Sequence, residues 1–208
     1  MTLTLRILER LARGPFSVRI EPGLSETEFA GIEERYGITF PPDLRELLAV
    51  GLPIDDGPVT QFSPLRGFPD WRNADVAILR ERLGRVVEGV LDHVRSGHFW
   101  PTTWPAKPDS NESAAEIAAR ELAAVSPLVP VYGHRYIPSR PNESGNPIFS
   151  VVGSDAIYYG ADLEDYFENE FFDKSNECHQ KSHMTKPARH IPFWSDVAGP
   201  GWGEFVGP

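Results

Sequence analysis

Apolar residues recur at intervals of three and four along most of the first half of the chain, which is the spacing of an amphipathic helix. This pattern predicts helices near residues 2–13, from Ser25 to Gly37, from Asp43 to Gly51 and from Val76 to Gly97. The second helix has the clearest start, because Ser25 and Glu28 stand at the spacing of a capping box. Gly37 is predicted to end this helix.

The second half of the chain contains short β-type runs bounded by turn residues. They predict strands over Leu128–Val131, Ile148–Val152 and Ala156–Tyr159, with an alanine-rich helix before them and an amphipathic helix after Asp162. Helices in the first half of the chain and strands in the second half favour an α+β fold over regular βαβ alternation.

We expect a single domain over residues 1–208, with 174–208 as a loosely packed C-terminal extension, because residues 174–189 show no periodicity. Residues 98–108 carry two tryptophans and three prolines. Such a stiff, bulky segment is predicted to fold over the core rather than to act as a linker.

Charge and composition argue against several classes of function. The 208 residues carry 30 acidic and 20 basic side chains, for a formal charge of −10. This balance argues against nucleic acid, whose affinity for proteins comes mainly from Lys and Arg, and favours a basic partner. No apolar run approaches the roughly 18 residues of a membrane span. Arginines interrupt the first 14 residues, so no secretory signal is indicated and we expect a cytoplasmic protein.

Much of the negative charge is concentrated in residues 155–177, which hold eight acidic side chains and one lysine. One interpretation is a solvated helix face. The other is an electrostatic docking surface for a cationic protein. The candidate contact residues are Asp155, Asp162, Glu164, Asp165, Glu168, Glu170 and Asp173.

A second candidate site is a pocket for a small molecule. His134, Arg135 and Tyr136 follow a predicted buried strand, and together they could bind an anion or move a proton. The aromatic and cationic residues that would line this pocket with them are Trp71, Arg72 and Trp104. The structural alternative is that Arg135 pairs with a carboxylate such as Asp155 or Asp162 while its neighbours pack.

Metal and catalytic motifs are weak. Cys178, His179, His183 and His190 have suitable ligand types for zinc. With one cysteine and imperfect spacing, we expect no metal and no cofactor. The chain contains no G-x-S-x-G, P-loop, G-x-G-x-x-G after a strand or H-E-x-x-H motif, so we expect a binding protein rather than an enzyme.

Several segments carry a family resemblance. Residues 24–26 (LSE) and 33–48 (EERYGITFPPDLRELL) resemble the opening of the SUKH superfamily, which includes fungal cell-wall-synthesis regulators and many bacterial proteins implicated in immunity to polymorphic toxins. Residues 131–136 (VYGHRY), 145–150 (GNPIFS) and 157–160 (IYYG) are similar to its longer bacterial branch.

This resemblance implies a mixed, largely antiparallel sheet flanked by helices, and a role in binding other proteins. It supplies no catalytic motif, so no active-site residue is carried over. Two hypotheses follow. The first is an immunity-type binding module that uses its acidic segment against a basic, nuclease-type toxin. The second is a small-molecule binder or enzyme that uses the pocket described above. Oligomeric state is left open.

Overall fold

The computed structural model describes residues 3–14, 18–55, 67–172 and 184–199. Seven α-helices and six strands within these ranges confirm the predicted α+β class. The helices are α1 (Leu3–Arg13), α2 (Glu26–Tyr36), α3 (Pro42–Val50), α4 (Val76–Arg95), α5 (Asn111–Ala124), α6 (Leu163–Phe167) and α7 (Trp194–Ala198). The segment Glu168–Phe172 continues α6 as a π-helical turn. Among these described helices, none combines the length and apolar character that crossing a membrane requires.

The strands form two sheets, and all pairings among the described residues are antiparallel. They are β1 (Val18–Pro22), β2 (Gly51–Asp55), β3 (Leu128–Tyr132), β4 (Arg135–Pro138), β5 (Ile148–Val152) and β6 (Asp155–Gly160). The first two pair with each other, and the other four form a meander in chain order. The sequence did not predict β4 as a strand, because its four residues, RYIP, place a cation and a phenol before two apolar residues and show no period-two alternation.

Local sequence signals explain where α2 and α3 begin. The Ser25 hydroxyl accepts from the Glu28 amide at 3.3 Å, and the Glu28 carboxylate accepts from the Ser25 amide at 2.8 Å, which confirms the predicted capping box. The predicted start at Asp43 is one residue late, since α3 begins at Pro42. Proline suits this first position because it has no amide hydrogen to leave unpaired. Asp43 accepts from the Leu44 and Gly145 amides, both at 2.9 Å.

The four-stranded sheet separates two hydrophobic clusters. Side chains alternate across each strand, so β4 sends Ile137 into one cluster and Tyr136 into the other. The first cluster is built mainly with α1, α2, α3 and α6, and the second mainly with α4, α5 and α7. This division decides which candidate residues can meet.

The second cluster also holds the end of the described chain. Ile191 and Trp194 are buried, and Trp194 Nε1 donates to the Ser126 carbonyl at 2.8 Å. The predicted loose extension therefore includes a firmly packed part. Trp104 stacks on Phe193, with ring centroids 5.9 Å apart. Residues 98–108 thus fold over the core as expected.

Candidate functional site

The acidic segment reaches the surface beside α1. Asp162 caps α6 by accepting from the Asp165 amide at 2.9 Å, and this start places Glu164 and Glu168 one helical turn apart. Glu164 accepts from Arg6 at 2.5 Å, while Glu168 accepts from Arg10 at 2.7 Å. Because the arginines are also one turn apart on α1, the two helices form a ladder of ion pairs. We call these four residues the charge ladder.

The ladder is open to solvent. The side chains of Glu164 and Glu168 are 40% and 41% exposed, and those of Arg6 and Arg10 are 43% and 40% exposed. Such pairs are screened by water and salt and contribute about 0–1 kcal/mol each. The carboxylates are therefore accessible, but their charge is compensated within the chain.

Other acidic residues of the segment do not share this surface. Asp165 is only 4% exposed and accepts from the Ala161 amide at 2.9 Å and from the Thr185 hydroxyl at 2.7 Å. It anchors residues 184–186 to the start of α6. The expectation that Asp165 contacts a partner does not fit this burial.

Asp155 is the first residue of β6, whereas Asp162 lies two positions after its last residue, Gly160. Five residue steps at about 3.3 Å each separate Asp155 from Gly160 by roughly 17 Å, so Asp155 lies far from α6. Its side chain is exposed. Asp162 forms an ion pair with Lys186. Asp173 lies outside the described residues. The predicted continuous acidic face is thus reduced to the ladder and its neighbour Asp162.

Glu170 faces inward, towards β4. Its carboxylate lies 3.9 Å from Arg135, whose side chain is 11% exposed. Arg135 also donates to the Ser150 hydroxyl at 3.1 Å and lies 3.6 Å above the ring of Tyr159. Arg135 therefore pairs with a carboxylate, as the structural alternative predicted, but the carboxylate belongs to Glu170 rather than to Asp155 or Asp162.

A second buried cation, Arg82 of α4, was not predicted from the sequence as a site residue. Its side chain is 2% exposed and donates to the carbonyl of Gly67. Burial lowers the pKa of Arg82 to about 10, so it remains charged at neutral pH. Its burial could have been predicted from its position on the apolar stripe of the helix, three residues after Leu79 and four before Val86.

The proposed pocket residues are not brought together. Trp71 belongs to the first hydrophobic cluster, where it meets Phe40 edge to face at 5.0 Å, whereas Trp104 belongs to the second. Arg135 and Tyr136 point to opposite faces of β4 because they are adjacent in a strand. Together these positions do not support one pocket shared by all the candidates.

Arg72 and His134 also have other roles. Arg72 donates to Glu28 at 2.6 Å and to the carbonyls of Pro22 and Gly23 at 3.1 Å, which ties its loop to α2. His134 is exposed, yet desolvation of its ring and then the charge of Arg135 and Arg85 lower its pKa to about 4. The imidazole is therefore neutral at pH 7.

The metal candidates can be followed only in part. Cys178, His179 and His183 lie outside the described residues. His190 Nε2 lies 2.9 Å from the carboxylate of Asp196. Across the ranges that the structure describes, no group of three or more metal-ligating side chains forms a site.

Comparison with protein-family models, with curated proteins and with solved structures finds no match for this chain. The resemblance to the SUKH superfamily therefore rests on the sequence segments alone.

Proposed function

We propose that the protein is a cytoplasmic binding module that recognises a basic protein through the charge ladder and Asp162. The observation that carries this proposal is the pair of accessible carboxylates, Glu164 and Glu168, held one turn apart on a packed helix. Their spacing is fixed before any partner arrives, which reduces the entropy lost on binding.

Exchange of ion pairs is the physical basis of this recognition. An exposed pair contributes about 0–1 kcal/mol, so a partner's Lys or Arg can displace Arg6 or Arg10 at small cost. At an interface that excludes water the new pairs become stronger, because the effective dielectric falls. Clustered charge also accelerates the encounter and orients the partner.

The narrower role, neutralisation of a nuclease-type toxin, is supported by the SUKH resemblance. Nucleases that bind phosphate backbones carry cationic substrate sites, and such a site complements the carboxylates of α6. An inhibitor that covers it would need no catalytic residue of its own. The small-molecule alternative loses support because Trp71 lies in the first hydrophobic cluster, whereas Trp104 and Tyr136 lie in the second.

The test compares two double variants of the full chain. Glu164→Gln with Glu168→Gln removes the carboxylates of the ladder. Glu112→Gln with Glu116→Gln removes two carboxylates at the same spacing on α5, where both are exposed and neither forms an ion pair with a described residue. The two variants thus change net charge equally at different places.

Partners are captured from the native cell at low and high salt, identified, and then titrated as purified proteins. We expect a basic partner whose affinity falls about tenfold or more in the α6 variant, changes little in the α5 variant and weakens as salt rises. A partner that binds both variants equally, or the absence of any salt-sensitive partner, contradicts the proposal. If that partner is a toxin, the wild-type chain should inhibit its activity in proportion to occupancy.

A further inference from the structure

A groove of about 420 Å³ lies where the end of α2, the middle of α4 and the connection from α5 to β3 meet. Its apolar lining includes Leu83, Leu122, Leu128 and Trp194. This volume lies within the range of small-molecule sites, which are mostly apolar with a few placed polar groups.

Two arginines supply polar groups at the rim. Arg35 and Arg80 both line the groove and are exposed, and neither guanidinium group makes an ion pair or hydrogen bond with any residue in the described ranges. Arg35 stands in the last turn of α2, where a cation offsets the helix dipole. Arg80 has no such explanation, since it lies in the second turn of α4, near the positive end of that helix.

The face of α4 that lines the groove is open. Val87 lies two turns after Arg80 and is 37% exposed. Between them, Gly84 lacks a side chain, and a Cβ built on it would meet no atom within 4 Å. Within the part of the chain that the structure describes, apolar surface therefore remains accessible beside the two guanidinium groups.

We propose that this groove binds a small amphipathic anion, with an apolar body against Leu83, Val87 and Leu122 and an acidic group between Arg35 and Arg80. The charges are complementary, because two cations that have no ion-pair partner among the described residues adjoin apolar surface, and a carboxylate or sulfonate on an apolar body matches both. The site is separate from the charge ladder and does not depend on the protein-binding proposal.

The probe is 1-anilinonaphthalene-8-sulfonate, tested against N-phenyl-1-naphthylamine, which has the same apolar body without the sulfonate. Both dyes are titrated into the folded full-length chain, and fluorescence gives each Kd. The expected result is one saturable site with tighter binding of the sulfonate dye. Decanoate should displace it, and decanol should displace it less well.

Three variants locate the site. Arg35→Gln with Arg80→Gln should weaken the sulfonate dye about tenfold and leave the neutral dye unchanged. Arg120→Gln, an exposed arginine on α5 outside the groove, is the single-charge control and should change neither by more than about twofold. Gly84→Leu should weaken both dyes by filling the groove. This substitution replaces glycine with a better helix former, and circular dichroism should show an intact fold.

Equal affinity for the two dyes, no binding of either, or binding unchanged in the double arginine variant would overturn the proposal. Dye affinity that falls as protein concentration rises, together with a dimer in light scattering, would assign the groove to a contact between two copies and would also overturn it.

Discussion

The charge ladder and the groove show how differently charge is used in two regions of this protein. The two carboxylates of the ladder lie in the most acidic part of the sequence, yet both are paired with arginines of α1. The groove lies in a part with mixed charge, yet Arg35 and Arg80 have no ion pair among the described residues. Charge density along the chain is therefore a poor guide to unpaired charge on the surface.

The difference arises because pairing depends on which helices pack together. α1 is separated from α6 by about 150 residues, and their contact neutralises carboxylates that look free in the sequence. The arginines of the groove line a concave surface, and no carboxylate among the described residues pairs with them. We therefore expect substitutions to lower the free energy of unfolding most where a charged side chain is buried, and least where an ion pair is exposed to solvent.

The largest expected effect is at Asp165, the buried acid beside the ladder. Asp165→Ala should lower the free energy of unfolding by about 2–3 kcal/mol, because the Ala161 amide and the Thr185 hydroxyl lose their acceptor. Urea denaturation measures this. Asp165→Asn retains one acceptor oxygen and should lose less. If Asp165→Ala costs no more than Glu164→Gln, the distinction between buried and exposed acids in this segment is wrong.

An intermediate effect is expected at Glu28, whose ion pair with Arg72 is partly shielded. Arg72, followed by hydrogen bonds from Ser25, lowers the pKa of Glu28 to about 2. Since the folded pKa lies below the ordinary glutamate value of 4.5, its stabilisation is present above pH 4.5 and is lost as pH falls towards 2. Allowing for solvent screening, Glu28→Gln should cost about 1 kcal/mol at pH 7.

Urea unfolding of wild type and Glu28→Gln at pH 7, 4 and 2.5 checks the sign. The difference between the two proteins should shrink as the pH falls. A difference that stays constant or grows would show that the carboxylate is not stabilised by Arg72. Glu9→Gln, on the exposed surface of α1, serves as a control.

The smallest effect is expected in the ladder itself. A double-mutant cycle with Arg10→Gln and Glu168→Gln should give a coupling energy of about 0.5 kcal/mol at low salt, falling towards zero in 1 M NaCl. Arg35→Gln, which removes an unpaired cation, should change the free energy of unfolding by less than about 0.5 kcal/mol. A ladder coupling above about 2 kcal/mol would make these pairs too stable to exchange with a partner.

Parts of the fold could be predicted because their causes are local. The capping box of α2, its end at Gly37 and the long stripe of α4 depend on residues within a few turns of one another. The hairpin of β5 and β6 depends on the short turn at Gly153, whose positive φ of 62° suits glycine. One strand of the meander, β4, was not predicted because it is defined by its pairing with β3 and β5.

The candidate sites were less predictable because they depend on distant contacts. Arg135 was singled out correctly as a paired residue in one interpretation, but its partner Glu170 comes from a turn that follows α6. Trp71 and Trp104 looked alike in sequence and were placed in different clusters by the sheet. The groove was not foreseen, as its lining comes from four separate segments.

The sequence by itself determined the α+β class, most helix limits and the concentration of acids in residues 155–177, since these follow from short-range periodicity and composition. Tertiary structure alone decided which charges are neutralised, which are buried and where concave surface forms. The physical reason is that electrostatic and packing energies depend on distance in space, and residues far apart in the chain set that distance.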